Sequence, residues 1–218
     1  MEAKVISKRL LARLPLYLNY IKRLPAHAEN ISATKMAKDL GLGDVMVRKD
    51  LAKVSSGGRR KLGYVRCDLM ADIERFLDVN TTTNAIVVDA GKLGQALLDY
   101  SGFEATGLQI LAGFDIYTPR KHTGGGKVIY PMTKLAQFCF DNQVHIAVIT
   151  VPADKAQSVC DELVACGIQA IWNFAPVRLS VPDHVVIQNE NLAVSLTALR
   201  MQMKTRSDGK ELICDLCG

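Results

Sequence analysis

The sequence predicts an α/β chain with a helical N-terminal domain, a doubly wound parallel sheet and a C-terminal helix. Three observations lead to this prediction. Residues 1–80 hold 16 Lys and Arg against 9 Asp and Glu, a net charge of +7, whereas residues 81–218 have a net charge of −2. Helical periodicity dominates the basic part, and apolar strands alternate with helices in the rest. A glycine-containing turn follows the first of those strands.

The composition excludes several classes of protein. No run of 18 apolar residues occurs in the sequence, so no membrane span is expected. The cationic N-terminus lacks the apolar stretch of a signal peptide. Six scattered cysteines in otherwise ordinary globular sequence are typical of reduced thiols. We therefore expect a cytoplasmic protein without a membrane partner.

Residues 1–80 have the pattern of a helix-turn-helix followed by a wing. Gly41-Leu42-Gly43 separates two short amphipathic helices, and the glycine-rich, basic segment 55–65 is expected to form a hairpin. The predicted DNA contacts are Arg48, Lys49 and Lys53 on the recognition helix and Arg59, Arg60 and Lys61 in the wing. This combination favours binding of double-stranded DNA, and the alternative is a solvated basic face on a small helical domain.

Polar residues predict where three helices of this domain begin. Ser32 is expected to cap the second helix, Asp44 the third and Asp68 the fourth, because short polar side chains accept hydrogen bonds from the first free N–H groups of a helix. The third helix is expected to end near Val54.

Residues 84–115 match a dinucleotide-binding fingerprint. An apolar strand leads into the turn Asp89-Ala90-Gly91-Lys92-Leu93-Gly94, a helix follows, and a second strand ends at Asp115, about 20 residues beyond the last glycine. Glycines let the backbone approach a pyrophosphate closely. The pattern predicts a Rossmann-like domain over residues 81–190 whose cofactor is NAD(H).

Asp89 replaces the first glycine of the fingerprint and puts the affinity for NAD(H) in doubt. Two like charges about 4 Å apart repel by about 4 kcal/mol at an effective dielectric constant near 20. That energy corresponds to a thousandfold change in affinity, to order of magnitude. Lys92, or a rotamer that points the carboxylate away, would offset part of the loss. The alternative is a Rossmann-like domain that has no ligand.

Residues at the carboxyl ends of later strands are candidate pocket residues, because those ends face the ligand crevice of a doubly wound sheet. They are Thr150, Pro152, Asn173 and Phe174. No nucleophile–base pair and no metal-ligand spacing of histidines stands out, so neither a catalytic residue nor a metal site is expected.

The C-terminal residues predict a helix over 191–206 and a tail over 207–218. The helix has Leu192, Leu196 and Leu199 on one stripe, which is typical of a dimerisation element or of a helix that packs on its own sheet. The tail has a Cys214–Cys217 pair. Two tails together would supply four ligands to zinc, the pair would alternatively act as a thiol switch, and a frayed tail is the third reading.

Several separated motifs resemble the Rex family of redox-sensing transcriptional repressors. The resemblance covers about residues 5–202 and is carried by segments 13–17, 47–51, 91–98, 150–153 and 173–179. It implies a bacterial, cytoplasmic homodimer with an N-terminal winged helix, a Rossmann domain and a domain-swapped terminal helix. Such repressors bind inverted-repeat operators when NADH is scarce, and NADH releases them from DNA.

The resemblance also assigns roles to single residues. Asp115 matches the residue that hydrogen-bonds the adenosine ribose, and Tyr100 matches a tyrosine beside the nicotinamide. Asn173 and Phe174 match part of the pocket wall. Arg13 matches an arginine that couples the cofactor to the DNA-binding domain.

Three positions depart from the family pattern, all within the cofactor-sensing residues. The family usually has Gly at Asp89, Asn at Lys92 and Asp at Asn191, where the missing charge would have paired with Arg13. The expected function is a DNA-binding repressor that responds to NADH/NAD and is not an enzyme. The alternatives are a Rex-like repressor with lost or changed nucleotide sensing, or a small NAD- or CoA-binding enzyme.

Overall fold

A computed structural model describes residues 7–60, 62–79, 81–117 and 122–207. The chain divides between Thr81 and Thr82 into two units, each of which has its own hydrophobic core. Lys61, a predicted wing residue, and Cys214 and Cys217 of the predicted tail lie outside the described residues.

The described part of the N-terminal unit is a helical bundle with a small antiparallel sheet. Its elements are α1 (Lys8–Arg23), β1 (Asn30–Ile31), α2 (Ala33–Leu40), α3 (Asp44–Val54), β2 (Tyr64–Val65) and α4 (Arg66–Phe76). The helices bury one apolar stripe each, and the core includes Leu14, Ile21, Met36, Leu51 and Ile73. The predicted winged helix-turn-helix is confirmed.

The helix boundaries differ in part from those predicted. Ser32 caps α2 by accepting a hydrogen bond from the Lys35 N–H at 3.3 Å, as predicted. The N-cap of α3 is Gly43, because the Asp44 carboxylate binds a side chain within the helix. The N-cap of α4 is Val65 rather than Asp68, because β2 runs directly into the helix.

A buried carboxylate joins α1 to α3. Asp50, which is 4% exposed, accepts hydrogen bonds from Arg13 Nε at 2.7 Å, from Arg13 Nη2 at 3.0 Å and from the Tyr17 hydroxyl at 2.8 Å. The hydrogen bond to Asp50 raises the pKa of Arg13. Burial, and then the Asp50 carboxylate, raise the pKa of Tyr17 to about 12. Arg13 therefore stays charged and Tyr17 neutral at physiological pH, and their donors fix α3 against α1.

The C-terminal unit contains a six-stranded parallel sheet with the order β5-β4-β3-β6-β7-β8. Its strands are β3 (Thr83–Val88), β4 (Leu108–Asp115), β5 (Ile129–Pro131), β6 (Val144–Ile149), β7 (Ala170–Asn173) and β8 (Val186–Asn189). The order reverses between β3 and β6, and a crevice forms at the carboxyl ends of strands at such a point.

Helices cover both faces of this sheet. The covering helices are α5 (Lys92–Leu98), α6 (Leu135–Asp141) and α7 (Ala153–Ala165), with short 3-10 helices at Ser101–Thr106 and Met132–Lys134, and the terminal helix α8 (Leu192–Ser207) follows the last strand. Ala85 and Val87 of β3 pack with Leu98 of α5, whereas Ile86 and Val88 share a cluster with α6 and α7. The predicted doubly wound, Rossmann-like sheet is confirmed.

The terminal helix α8 leaves its apolar side chains exposed. The side chains of Leu192, Leu196 and Leu199 are 62%, 68% and 60% exposed. Asn191 stabilises the start of the helix, because its Oδ1 accepts a hydrogen bond from the Val194 N–H at 3.0 Å. Within the described residues, neither α8 nor any other helix has the length and apolar character needed to span a membrane.

We predict that Asp50→Ala lowers the free energy of unfolding of the N-terminal unit by about 3 kcal/mol or more, because Arg13 is left with an uncompensated, largely buried charge. Asp44→Ala is the matched control on the same helix. It removes an exposed pair, which contributes less than about 1 kcal/mol. Urea unfolding followed by far-UV circular dichroism measures both. Equal losses in the two variants would contradict a structural role for the buried carboxylate.

Candidate nucleotide pocket and DNA-binding surface

The turn between β3 and α5 is fixed by hydrogen bonds from the two neighbouring strands. The Asp89 N–H donates to the Phe114 carbonyl at 2.8 Å, and the Ala90 N–H donates to Asp115 Oδ2 at 2.9 Å. Thr150, which follows β6, donates from Oγ1 to the Asp89 carbonyl at 2.8 Å. The ends of β4 and β6 therefore hold the backbone of the fingerprint turn in place.

Asp89 has an unusual backbone conformation, and its carboxylate folds back onto the turn. Its φ of +76° lies in the left-handed region, which Asp tolerates better than most residues. Oδ1 accepts a hydrogen bond from the Gly91 N–H at 3.1 Å. Burial raises the pKa of this carboxyl and the nearby Asp115 raises it further, while the Gly91 N–H acts in the opposite direction. A backbone N–H of the fingerprint turn is therefore occupied by a carboxylate of the chain itself.

Gly94 is required by the close packing of the turn. A Cβ at this position would lie 1.9 Å from the Asp89 carbonyl oxygen and 3.1 Å from Thr150 Oγ1. Gly91 is less crowded, because the nearest atom to its Cβ would be Asp89 Oδ1 at 3.3 Å. The third glycine of the fingerprint thus serves helix–strand packing.

A cavity of about 690 Å³ opens beside this turn at the carboxyl ends of β3, β4 and β6. Five predicted residues line it, namely Asp89, Ala90, Gly91, Asp115 and Pro152. The sequence analysis missed other lining residues, which include Ile116, Tyr117, Met132, Lys155, Val159 and Glu162. The first two directly follow Asp115, so their position after a strand was a usable signal. Lys155, Val159 and Glu162 lie on α7, away from the end of a strand, so no sequence pattern marked them as pocket residues.

Asp115 lies at the edge of the cavity with both carboxylate oxygens partly engaged. Oδ2 accepts from the Ala90 N–H and Oδ1 accepts from the Tyr117 N–H, each at 2.9 Å. A carboxylate oxygen has room for more than one donor. The carboxylate is therefore held rigidly and is able to accept hydrogen bonds from hydroxyl groups of a ligand in the cavity.

Two predicted pocket residues lie elsewhere in the sheet unit. Tyr100 is 59% exposed and packs edge-on against Phe103, with ring centroids 4.9 Å apart. Asn173 is fully buried, and its Nδ2 donates to the Val177 carbonyl at 2.8 Å and to Asn189 Oδ1 at 2.9 Å. Neither residue lines the cavity. The predicted role of Tyr100 beside a nicotinamide and that of Asn173 in the pocket wall stay predictions.

The remaining predicted pocket residues do not line the cavity either. Phe174 packs against Trp172, with ring centroids 4.6 Å apart. Lys92 and Leu93 are exposed in the first turn of α5. Among the described residues, Lys92 forms no ion pair with Asp89, and its compensating effect on a bound pyrophosphate stays a prediction.

The outer face of α3 carries the predicted DNA contacts. Arg48, Lys49 and Lys53 are all exposed. Arg48 Nη2 lies 2.9 Å from Asp44 Oδ2 and donates to Thr34 Oγ1 of α2 at 2.9 Å, so its guanidinium is held in one position. Val45, which is 64% exposed, lies one turn before Arg48 and Lys49, and the sequence analysis missed it. This face therefore presents three cationic side chains and one apolar side chain to solvent.

The predicted wing is present as a tight hairpin. Arg59 and Gly63 exchange N–H···O=C hydrogen bonds of 2.8 and 2.9 Å. Gly63 has a φ of +78°, and a Cβ there would lie 2.2 Å from the Ile31 carbonyl oxygen, so only glycine fits. Arg59 and Arg60 are exposed at the hairpin.

The two residues expected to couple the units have local partners. Arg13 binds Asp50 within the N-terminal unit, and Asn191 caps α8 in the C-terminal unit. A role in coupling stays a prediction for both. Among residues 7–60, 62–79, 81–117 and 122–207, no group of three His, Cys, Asp or Glu side chains could hold a metal ion.

Fold and site together define a class of protein, namely DNA-binding regulators that join a winged helix to a dinucleotide-binding body. Residues 5–52 match the family described as a putative DNA-binding protein N-terminus, and residues 80–177 match the CoA binding domain family. The chain belongs to the Rex family of redox-sensing transcriptional repressors, because many relatives of that name are 32–40% identical over most of their length.

The most similar relatives include repressors from two bacteria, Porphyromonas gingivalis and Treponema denticola. The chain is 40% identical over 202 residues to the redox-sensing transcriptional repressor Rex of Porphyromonas gingivalis, covering 92% of this chain and 93% of the relative. It is 37% identical over 210 residues to the Treponema denticola protein of the same name, covering 94% and 99%.

Solved structures of one Rex-family repressor, RSP, have the same fold. The crystal structure of RSP with β-NAD⁺ and operator DNA has a TM-score of 0.83 at 30% identity, covering 95% of this chain and 97% of RSP. The structure of RSP with β-NADH has a TM-score of 0.79 and covers 95% and 99%.

We predict that Gly94→Ala destabilises the sheet unit by about 1–3 kcal/mol, because its Cβ would overlap the Asp89 carbonyl oxygen and force the turn apart. Gly124→Ala is the control, since the nearest atom to its Cβ would be 4.0 Å away. The fluorescence of Trp172, the only tryptophan of the chain, reports unfolding of this unit. Unfolding midpoints that are the same for Gly94→Ala and wild type would contradict the close packing.

Proposed function

We propose that this chain is a cytoplasmic, homodimeric repressor of transcription that binds an inverted-repeat operator and is released by NADH. It has no catalytic step. The observation that carries the proposal is that one chain combines an exposed basic face on α3 and its wing with an Asp115-edged cavity at the strand reversal. The first is suited to DNA, and the second to a ribose-containing ligand.

The DNA-binding part of the proposal rests on charge and shape in the N-terminal unit. The first and second turns of α3 present Val45, Arg48 and Lys49 to solvent on one face, and the exposed wing arginines follow α3 in sequence. The N-terminal residues of a recognition helix contact base edges, and wing cations contact phosphates. A relative with 30% identity was crystallised with operator DNA.

The nucleotide-sensing part of the proposal rests on the cavity. Its apolar walls suit an adenine ring, and the Asp115 carboxylate at its edge supports the assignment of the ribose to this residue, because its oxygens have room for further donors. Structures of the same relative contain β-NAD⁺ or β-NADH. Within the turn, Gly91 and Gly94 fit a dinucleotide, whereas the Asp89 carboxylate opposes its phosphates.

The dimer is supported by the exposed apolar side chains of α8. Leu192, Leu196 and Leu199 recur at i, i+4 and i+7 and lie on one stripe, each at least 60% exposed. Such a surface marks an interaction site when it is contiguous. A second copy of the chain is the partner that an inverted repeat requires, because two-fold symmetry in DNA is matched by two-fold symmetry in protein.

We predict that NADH weakens operator binding by about 5- to 150-fold, the usual range of coupling between two sites. The operator is first selected from a random duplex library, and its affinity is then measured by fluorescence anisotropy with and without NADH. NAD⁺ serves as the comparison ligand. An operator affinity that NADH leaves unchanged up to about millimolar concentration would favour the alternative of a constitutive repressor.

We also predict that Lys49→Ala weakens operator binding and makes the negative slope of log K against log salt shallower by about 1.8, because each of the two subunits loses one phosphate contact. Lys134→Ala is the matched control, because it removes an equal charge near the surface of the sheet unit. Anisotropy titrations at several salt concentrations measure both. The same slope for Lys49→Ala and Lys134→Ala would argue against α3 as the DNA-contacting helix.

A further inference from the structure

The Asp89 carboxylate takes the position in the turn that a ligand phosphate would otherwise use. Backbone N–H groups of a fingerprint turn bind a pyrophosphate. Here the Gly91 N–H donates to Asp89 Oδ1 at 3.1 Å, and the Ala90 N–H donates to Asp115 Oδ2. Two N–H groups of the turn therefore already have carboxylate acceptors within the chain.

The backbone of Asp89 is held firmly in this position. Its N–H donates to the Phe114 carbonyl at 2.8 Å, and its carbonyl accepts from Thr150 Oγ1 at 2.8 Å. Gly94 packs against the same carbonyl oxygen. Bond lengths keep a carboxylate within roughly 3 Å of its own Cα in every rotamer. A change of rotamer therefore leaves the charge beside the turn.

We propose that NADH binding at this turn requires Asp89 to take up a proton, so that the affinity for the dinucleotide rises as the pH falls. This inference rests on the proposed binding of NADH to the cavity. The proton comes from solvent. A neutral carboxyl does not repel the pyrophosphate, and its O–H is able to donate a hydrogen bond to a phosphate oxygen.

The surroundings of Asp89 favour the protonated form once an anion arrives. Burial and the Asp115 carboxylate already raise the pKa of Asp89 in the free protein. A bound pyrophosphate adds further negative charge and raises the pKa again. Since the complex then holds one more proton than the free protein, lower pH must favour the complex.

Several other titratable or charged groups face the same cavity. They are Asp115 and Tyr117 at the end of β4 and Lys155 and Glu162 on α7, whereas Lys92 at the start of α5 is exposed and does not line the cavity. Among the described residues, neither Lys92 nor Lys155 forms an ion pair with Asp89. Lys155 Nζ lies 3.7 Å from Asp154 Oδ2 instead. Asp89→Asn keeps all these groups and the shape of the side chain, and Asn also tolerates a positive φ. It therefore isolates the charge of Asp89.

The test is the number of protons taken up when NADH binds. It is measured by calorimetry on the full chain, in buffers of different ionisation enthalpy, for wild type, Asp89→Asn and Asp89→Gly. We expect the wild type to take up more protons per bound NADH than either variant does. Between about pH 8 and pH 6 the wild-type affinity should rise several-fold per pH unit, toward the tenfold limit set by one proton, while Asp89→Asn changes by less than about twofold.

Each outcome of the test is decisive. Equal proton uptake by wild type and Asp89→Asn overturns the inference but leaves the proposed function intact. If none of the three proteins binds NADH, the proposed nucleotide sensing fails and the inference fails with it. If Asp89→Asn and Asp89→Gly bind NADH and the wild type binds it only at low pH, the proposed function and this inference are both supported.

Discussion

Two carboxylates fix the turn between β3 and α5 through hydrogen bonds to its backbone N–H groups. Asp115 reaches across from the end of β4 to the Ala90 N–H, and Asp89 closes on the Gly91 N–H. These contacts fix the turn, which borders the cavity. In the proposed function the two carboxylates act in opposite directions, because the Asp115 carboxylate would accept hydrogen bonds from a ribose whereas the Asp89 carboxylate would repel a pyrophosphate.

The DNA-binding unit has a comparable arrangement, in which buried polar contacts position the exposed ones. Asp50 holds α1 and α3 together through Arg13 and Tyr17. Asp44 of the same helix and Thr34 of α2 hold the Arg48 guanidinium at the surface. Ordering a cation before DNA arrives lowers the entropy that binding must overcome. Arg48 is therefore pre-organised, whereas Lys49 is presented without an ion pair among the described residues.

Patterns of local origin were predictable from the sequence, and contacts between distant residues were not. The fingerprint turn, Asp115 and the basic face of α3 follow from spacing alone. The Arg13–Asp50 pair joins residues 37 positions apart, so no local sequence pattern predicts it. The α7 residues that line the cavity were not predictable either, because their position depends on how that helix packs. Like-charge repulsion by Asp89 was predictable, but its hydrogen bond to Gly91 depends on a φ of +76° that a residue name does not reveal.

The most direct test of this account is a crystal structure of the protein with NADH bound. The account predicts that a phosphate oxygen lies within hydrogen-bond distance of the Gly91 N–H and of the Asp89 carboxyl, with the ribose hydroxyls on Asp115. A structure in which Asp89 keeps its hydrogen bond to Gly91 while the pyrophosphate lies away from the turn would contradict it.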